Sequence, residues 1–322
     1  MPAKNTTTVP APEAAPRRRH VLDLDDFSAA EIAEVLETTA SMKEVLGRSI
    51  KQVPALRGKN VVNMFFEDST RTRISFELAA RSLSANVVSM SAKGSSVEKG
   101  ESLMDTMRTL QALGADVIVM RHSEAGAPYF LAQHFHGSIL NAGDGRHAHP
   151  TQGLLDLFTI QERFGRIEGL KVVIVGDILH SRVARSDLWG LTKMGAQVTL
   201  CAPPTLLGPT AFWLATWPDV TITSNLDEAI AGADVVMTLR LQKERQQAGL
   251  LPSLREYNRL FAITPERMAK AAPEAIVMHP GPMNEGVEIM PEVAVSSQSV
   301  IETQVTNGVA VRMALLYRLA GE

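Results

Sequence analysis

A formal net charge of −3 over 322 residues excludes a general electrostatic binder of nucleic acid, so any affinity for anions must come from a few placed arginines. Because the chain is 45% hydrophobic and longer than one hydrophobic core usually supports, we expect two domains. The single cysteine, Cys201, excludes an intramolecular disulfide and favours a reducing cytoplasm, and no apolar run is long enough to cross a bilayer.

Residues 1–20 are rich in alanine, proline and threonine and include three consecutive arginines, which predicts a disordered tail. A targeting peptide is the weaker alternative, because the segment contains Glu13 and many prolines. From Val21 onward, helices and short apolar strands alternate. The first half predicts helices at 29–45, 69–83, 101–113 and 150–164, with strands at 61–66, 86–90, 116–120 and 138–142.

The same pattern starts again at residue 171. Strands are predicted at 171–176, 197–200, 220–223, 234–239 and 275–278, and a last helix at 307–319. Short apolar strands that alternate with helices are typical of parallel sheets covered on both faces. We therefore expect an α/β protein of two doubly wound parallel-sheet domains with the active site in the cleft between them. The predicted bounds are 21–164 plus 302–322 for one domain and 165–301 for the other.

Polar and cationic residues follow several predicted strands, and the segment from Ser69 to Arg73 is the strongest single signal. Hydroxyl and guanidinium groups at a helix start, beside free backbone N–H groups, favour a bound phosphate. The alternative, a capped helix with solvated arginines, is disfavoured by the density of the cluster. No P-loop occurs, and the segment after Val175 lacks the spacing of a dinucleotide fingerprint. We therefore expect a small phosphorylated metabolite and no cofactor.

Three further segments are candidates for the same site. Residues 91–102, with Ser95 and Lys99, form either an ordinary solvated loop or a lid that brings charge to the anion. His149, at a predicted helix start, is suited to polarise a carbonyl group, and Gln152 to bond an amide. The prolines in 279–282 hold backbone carbonyl groups rigidly where a ligand N–H group would meet them.

Arginines in the second half predict a dicarboxylate ligand. Arg182 and Arg240 follow two different strands, and paired guanidinium groups fit two carboxylates. The alternative for residues 242–247 is an exposed charged helix. The histidine pairs at 134/136 and 147/149 are an alternative signal for a metal site. No clear carboxylate or cysteine partner stands beside them in the sequence, so we expect no metal.

Together these motifs resemble the aspartate/ornithine carbamoyltransferases, in order from Val21 to the C-terminus. The resemblance is carried by Phe65 to Arg73, Ser95 with Lys99, Met120 to His122, His149 with Gln152, and Met278 to Pro282. Ornithine enzymes typically carry a Ser-Met-Gly motif and a His-Cys-Leu-Pro segment, and this sequence has neither. Its Arg240, Gln242 and Arg245 are spaced as in the aspartate branch, which agrees with the argument for a dicarboxylate.

The resemblance implies transfer of a carbamoyl group from carbamoyl phosphate to L-aspartate, an early committed step of de novo pyrimidine biosynthesis. The implied ligands of carbamoyl phosphate are Ser69, Thr70, Arg71, Thr72, Ser95, Lys99, Arg121, His149, Gln152, Pro280 and Gly281. The implied catalytic residues are Arg71, Thr72, Lys99, Arg121 and His149. The implied aspartate ligands are Lys99, Arg182, Arg240 and Gln242. Glu67 would pair with Arg182 and Arg245 when the domains close.

The resemblance also implies a homotrimer in which Ser95 and Lys99 reach the site of the neighbouring subunit. A regulatory or other partner subunit stays an open alternative. Three rival functions are a family member with another amine acceptor, a non-catalytic assembly subunit and a nucleotide-dependent dehydrogenase. The assembly subunit would be expected to have lost Arg71, Lys99, His149 or Arg240, and the dehydrogenase needs more glycines than Gly176 supplies.

Overall fold

The computed structural model describes residues 18–91, 100–241 and 253–321. Residues 1–17 of the predicted tail lie outside these ranges. So do four of the predicted site residues, namely Ser95, Lys99, Gln242 and Arg245. In the described ranges, no helix has the length and apolar character needed to cross a membrane.

The folded chain begins before residue 21. Arg18 forms an ion pair with Glu31 at 2.9 Å, and the Arg19 guanidinium donates to backbone carbonyl groups of the first domain. His20 Nδ1 accepts the N–H of Ile139 at 3.1 Å. These three residues, which the sequence placed in the tail, are therefore part of the folded unit.

Two separate parallel sheets form the framework. The first has the order β2-β1-β3-β4 and the second the order β7-β6-β5-β8-β9. The strands of the first sheet are β1 (Asn60–Phe65), β2 (Asn86–Ser91), β3 (Val117–His122) and β4 (Ser138–Asp144). Those of the second are β5 (Lys171–Val175), β6 (Gln197–Cys201), β7 (Thr221–Thr223), β8 (Val235–Thr238) and β9 (Ile276–Met278). All agree with the sequence prediction to within two residues, and the predicted fold class is confirmed.

Helices connect the strands as parallel pairing requires. Those of the first half are α1 (Ala29–Leu46), α2 (Thr70–Ser82), α3 (Leu103–Ala112), α4 (Ala127–Ala132) and α5 (Pro150–Phe164). Those that follow are α6 (Arg182–Lys193), α7 (Pro204–Leu207), α8 (Thr210–Thr216), α9 (Leu226–Ile230), α10 (Leu254–Phe261), α11 (Pro265–Met268), α12 (Pro291–Ala294) and α13 (Ile301–Ala320). Ser28, the N-cap of α1, forms a full capping box with Glu31.

The last helix returns to the first half of the chain, where α13 contacts α1, α2 and α5. It begins at Ile301, six residues before its predicted start. The prediction missed these residues because the first turns of the helix are largely polar and show no clear apolar period. The predicted division of the chain at residues 164 and 301 stays a prediction.

Helices α5 and α6 pack closely where the two halves of the chain meet. A Cβ atom on Gly153 of α5 would lie 3.2 Å from the Cβ atom of Ser186 in α6. One on Gly190 of α6 would lie 2.6 Å from a methyl carbon of Leu157 in α5. Glycines therefore permit the close approach that places both helix starts at the same edge of the molecule.

Candidate active site

A cleft of about 900 Å³ lies at the carboxyl ends of the two sheets. Strands β1 and β3 flank the point where strand order reverses in the first sheet, and β5 and β8 flank the equivalent point in the second. Ligands of open α/β sheets bind at such points. The predicted residues that line the cleft are Glu67, Ser69, Thr70, Arg71, Thr72, Arg121, His149, Gln152, Arg182, Arg240, Pro280 and Gly281.

The start of α2 is suited to an anion. Ser69 is its N-cap with an extended backbone (φ −159°), and the Ser69 hydroxyl does not cap the helix. No acidic side chain lies in the first turn. Because no carboxylate of the first turn and no Ser69 side-chain bond takes up the first N–H groups, these groups and the neighbouring hydroxyls can meet a phosphate.

Arg71 extends from α2 to the loop after β9. Its Nη1 lies 3.4 Å from the carbonyl oxygen of Pro280. Gly281 has a φ of +66°, and a Cβ atom there would lie 1.5 Å from Arg71 Nη1, so a larger residue would displace the guanidinium. The Pro280 carbonyl has two lone pairs, which leaves it able to accept a second donor.

Glu67 joins arginines from both sheets. Its carboxylate accepts from Arg182 at 2.6 and 3.1 Å and also from Arg121. The Arg182 side chain is 5% exposed and that of Glu67 is 23% exposed. The predicted Glu67–Arg182 contact between the two halves is therefore present, whereas Arg245 lies outside the described residues.

Gly143, which the sequence analysis missed, makes room for these arginines. Its φ is +114°, and a Cβ atom there would lie 2.8 Å from Arg182 Cζ and 3.2 Å from Arg121 Nη1. The sequence signal was a glycine near the end of a buried strand, which by itself marks only a close approach of some kind.

His149 is held at the start of α5. It is 4% exposed, occupies the N-cap position, and its N–H donates to Ser186 Oγ of α6 at 2.9 Å. Gln152, in the first turn of the same helix, also lines the cleft. Both side chains are thus fixed on a rigid element next to the start of α2.

The loop after β9 is fixed by His279. The N–H of Gly281 donates to His279 Nδ1 at 2.7 Å, and Nε2 lies 3.3 Å from Glu288 Oε1. Burial lowers the pKa of His279 below its ordinary value, so the ring is neutral with its proton on Nε2. A neutral donor–acceptor ring of this kind holds the Pro280 carbonyl in a fixed place.

The second wall of the cleft carries the predicted dicarboxylate ligands. Arg182 begins α6, after the turn that follows β5, and Arg240 comes two residues after β8. Arg182 also donates to the carbonyl oxygen of Gly145 at 3.0 Å. The cleft is therefore lined by the start of α2 on the side of the first sheet and by Arg182 and Arg240 on the side of the second.

The histidine pairs considered for a metal have other surroundings. His147 Nδ1 lies 3.1 Å from Asp144, a carboxylate partner that the sequence analysis did not recognise. His134 packs against the ring of Phe130. Among the residues that the structure describes, no group of three or more ligand side chains is arranged to hold a metal.

Comparison with known protein families identifies the family of this chain. The model of the carbamoyl-P binding domain of aspartate/ornithine carbamoyltransferases matches residues 19–162, and that of the Asp/Orn binding domain matches residues 168–319. The chain belongs to this family. The family resemblance inferred from the sequence motifs is thereby confirmed.

Two relatives with high identity to this chain belong, by name, to the aspartate branch. The aspartate carbamoyltransferase catalytic subunit of Roseiflexus castenholzii is 79% identical over 98% of this chain and 100% of its own length. That of Chloroflexus aggregans is 73% identical over 95% of this chain and 99% of its own length. The branch inferred from the arginines of the second half agrees with both names.

Solved structures of carbamoyltransferases show how little the fold alone separates the branches. Aspartate transcarbamoylase of Trypanosoma cruzi, in complex with N-(phosphonacetyl)-L-aspartate, matches with a TM-score of 0.84 and 32% identity over 96% of this chain and 98% of that one. Ornithine carbamoyltransferase of Pyrococcus furiosus matches with a TM-score of 0.83 and 28% identity over 94% and 97%. Because the scores are nearly equal, acceptor choice must lie in side chains of the cleft.

Proposed function

We propose that this chain catalyses the reaction of carbamoyl phosphate with L-aspartate to give N-carbamoyl-L-aspartate and phosphate. The main support is that one cleft contains both the start of α2, with its hydroxyl and guanidinium groups, and Arg182 and Arg240 on the opposite wall. The relatives named above carry the same activity in their names, and the Trypanosoma cruzi enzyme has been solved with carbamoyl phosphate and aspartate.

The phosphate of the substrate is assigned to the start of α2. Backbone N–H groups there, with the hydroxyls of Ser69, Thr70 and Thr72, supply neutral donors, and Arg71 supplies charge. Arg121, at the end of the neighbouring strand β3, reaches the same place from the side. Ser95 and Lys99 complete the proposed site.

The carbamoyl group is assigned to the space between α5 and the loop after β9. Thr72, Arg121 and His149 would donate to its carbonyl oxygen, where negative charge develops as the amine attacks. The carbon–nitrogen bond forms while the carbon–oxygen bond to phosphate breaks, and phosphate leaves with the electron pair. The amine proton goes to the departing phosphate or to Lys99.

L-Aspartate is assigned to the second wall. Arg182 and Arg240 would each bind one carboxylate, with Gln242 and Lys99 beside them. Glu67 would hold Arg182 in place and, with Arg245, keep the two domains closed. Two anionic substrates held side by side in this way supply much of the rate enhancement through positioning.

A bisubstrate probe tests this assignment. N-(phosphonacetyl)-L-aspartate contains both a phosphonate and the two carboxylates of aspartate, whereas phosphonoacetamide contains only the first part. We expect Arg240→Ala to weaken the binding of N-(phosphonacetyl)-L-aspartate at least about tenfold, because a charge-assisted hydrogen-bonded pair is lost. The binding of phosphonoacetamide should stay unchanged. Isothermal titration of both compounds measures this. Equal weakening of the two would contradict the assignment of Arg240 to aspartate.

We also propose a cytoplasmic homotrimer with shared active sites, in which Ser95 and Lys99 act in the neighbouring subunit. An inactive Lys99→Ala chain mixed with an inactive Arg71→Ala chain should then regain part of the activity, because some sites in the hybrids receive both intact residues. Activity after dissociation and reassembly is the measurement, with the mass in solution as control. Hybrid trimers that form and stay inactive would contradict shared sites.

A further inference from the structure

A buried acidic pair lies behind the cleft, where α5 packs on α6. Asp156 of α5 and Asp187 of α6 are each 1% exposed. Neither carboxylate oxygen of Asp187 has a hydrogen-bond donor among the described residues. The carboxyl groups of Asp187 and Asp156 interact directly with each other.

Two carboxylates that face each other in a buried site hold a proton between them. Burial, followed by the charge of Asp156, raises the pKa of Asp187 well above its ordinary value, and burial raises the pKa of Asp156 to about 7. Above about pH 7, Asp156 is therefore ionised and accepts the O–H of Asp187. The single negative charge that remains is balanced by the buried Arg312.

Asp156 accepts from two amide side chains on different helices. Gln152 Nε2 donates to its two oxygens at 3.1 and 3.2 Å, and Gln304 Nε2 of α13 donates at 2.7 Å. Because an ionised carboxylate only accepts, each amide must turn its nitrogen toward Asp156 and its oxygen away. The orientation of both amides is thus dictated by one buried charge.

The two amide oxygens then act on the same part of the cleft. Gln304 Oε1 accepts the backbone N–H of His279 at 2.9 Å, which holds the segment that carries the Pro280 carbonyl. Gln152 lines the cleft, and with its nitrogen on Asp156 its oxygen is the end left for a ligand. Two acceptors, the Gln152 oxygen and the Pro280 carbonyl, are therefore set in place from a single point.

We propose that Asp156 is a positioning residue that selects an acyl phosphate carrying an NH₂ group, by presenting these two acceptors to the carbamoyl nitrogen. The proposal rests on the carbamoyl phosphate site described above and adds its specificity device. A methyl group in place of NH₂, as in acetyl phosphate, has no hydrogen to donate. Asp156 therefore strengthens the binding of carbamoyl phosphate and has no effect on the binding of acetyl phosphate.

The test compares the KM of carbamoyl phosphate with the inhibition constant of acetyl phosphate in the Asp156→Leu variant. Leucine has nearly the shape of aspartate but accepts no hydrogen bond, so the amides of Gln152 and Gln304 lose the acceptor that fixes their orientation. We expect KM to rise about 10- to 100-fold and the inhibition constant to change less than about twofold. In the matched control Asp187→Asn, an amide N–H replaces the O–H donor to Asp156, and both constants should stay within about twofold of the wild type.

Three outcomes overturn the proposal: equal change of both constants in Asp156→Leu, no change in either, or the same loss in Asp187→Asn. Gln304→Met keeps the volume but releases the N–H of His279, and it is the second variant if Asp156→Leu fails to fold. It should raise the KM of carbamoyl phosphate selectively, and an unchanged ratio of the two constants contradicts the proposal. A wild-type chain that forms no carbamoyl aspartate would contradict the proposed function, whereas an active wild type with unselective variants contradicts only the role of Asp156.

Discussion

Replacement of Arg71 by alanine is expected to lower kcat/KM for carbamoyl phosphate by at least about 100-fold, because the charge-assisted donor to the phosphate, which gains negative charge as it leaves, is lost. Arg71 is exposed and bonds only weakly to the Pro280 carbonyl, at 3.4 Å, so its removal leaves no buried partner unsatisfied. The free energy of unfolding should therefore change little. Steady-state kinetics at varied carbamoyl phosphate, with a thermal melt of the same sample, measures both effects.

Arg73→Ala is the matched control for this change. Arg73 lies on the same helix two positions later, is half-buried, and does not line the cleft. The Arg73→Ala variant loses the same charge from the same helix start, but the missing side chain is not at the proposed phosphate position. An equal loss of activity in the two variants would show that helix charge in general, rather than a contact of Arg71, carries the effect.

Replacement of Glu67 by glutamine is expected to lower kcat/KM for aspartate about 100-fold. Glutamine offers a single acceptor oxygen where Glu67 binds Arg182 with both oxygens and Arg121 as well. Removal of one partner from a buried ion pair costs about 3–5 kcal/mol, because the remaining charge is left without compensation. That cost falls on the closed cleft, since opening it lets water reach Arg182. Activity should thus fall further than stability.

Glu274→Gln provides the control for loss of a carboxylate–arginine pair. Glu274 bonds Arg163 at 2.9 Å on the surface, where its side chain is 78% exposed. Exposed pairs contribute at most about 1 kcal/mol, so this variant should keep its kinetic constants within about twofold. A Glu67→Gln chain with unchanged kcat/KM for aspartate, measured in the same assay, would contradict the role given to Glu67.

Local sequence patterns were sufficient for the framework of this protein. Short apolar runs such as the one at 172–175 are buried on both faces, and their composition alone predicts parallel strands. The first turns of α13 were missed because Glu302 and Thr303 give no apolar period. Tertiary packing against α5 stabilises that part of the helix, and a single sequence does not show such packing.

The cleft residues were predictable where chemistry and position coincide. Hydroxyl and guanidinium groups directly after a strand identified the segment from Ser69, and residues of this kind stand out in any sequence. Asp156, Asp187 and Gln304 did not stand out, because isolated polar residues in helices are usually solvated. Their meaning comes from α5, α6 and α13 meeting at one buried point, and no spacing in the sequence encodes that meeting.

The acceptor amine is the central claim, and it is tested most directly by product analysis with the purified chain. Carbamoyl phosphate is supplied with equal concentrations of L-aspartate and L-ornithine, and the products are separated and identified by mass spectrometry. The arrangement of Arg182 and Arg240 predicts N-carbamoyl-L-aspartate and no citrulline, because the arginines repel the cationic side chain of ornithine. Citrulline as the main product, or no carbamoyl transfer to aspartate, would contradict the account.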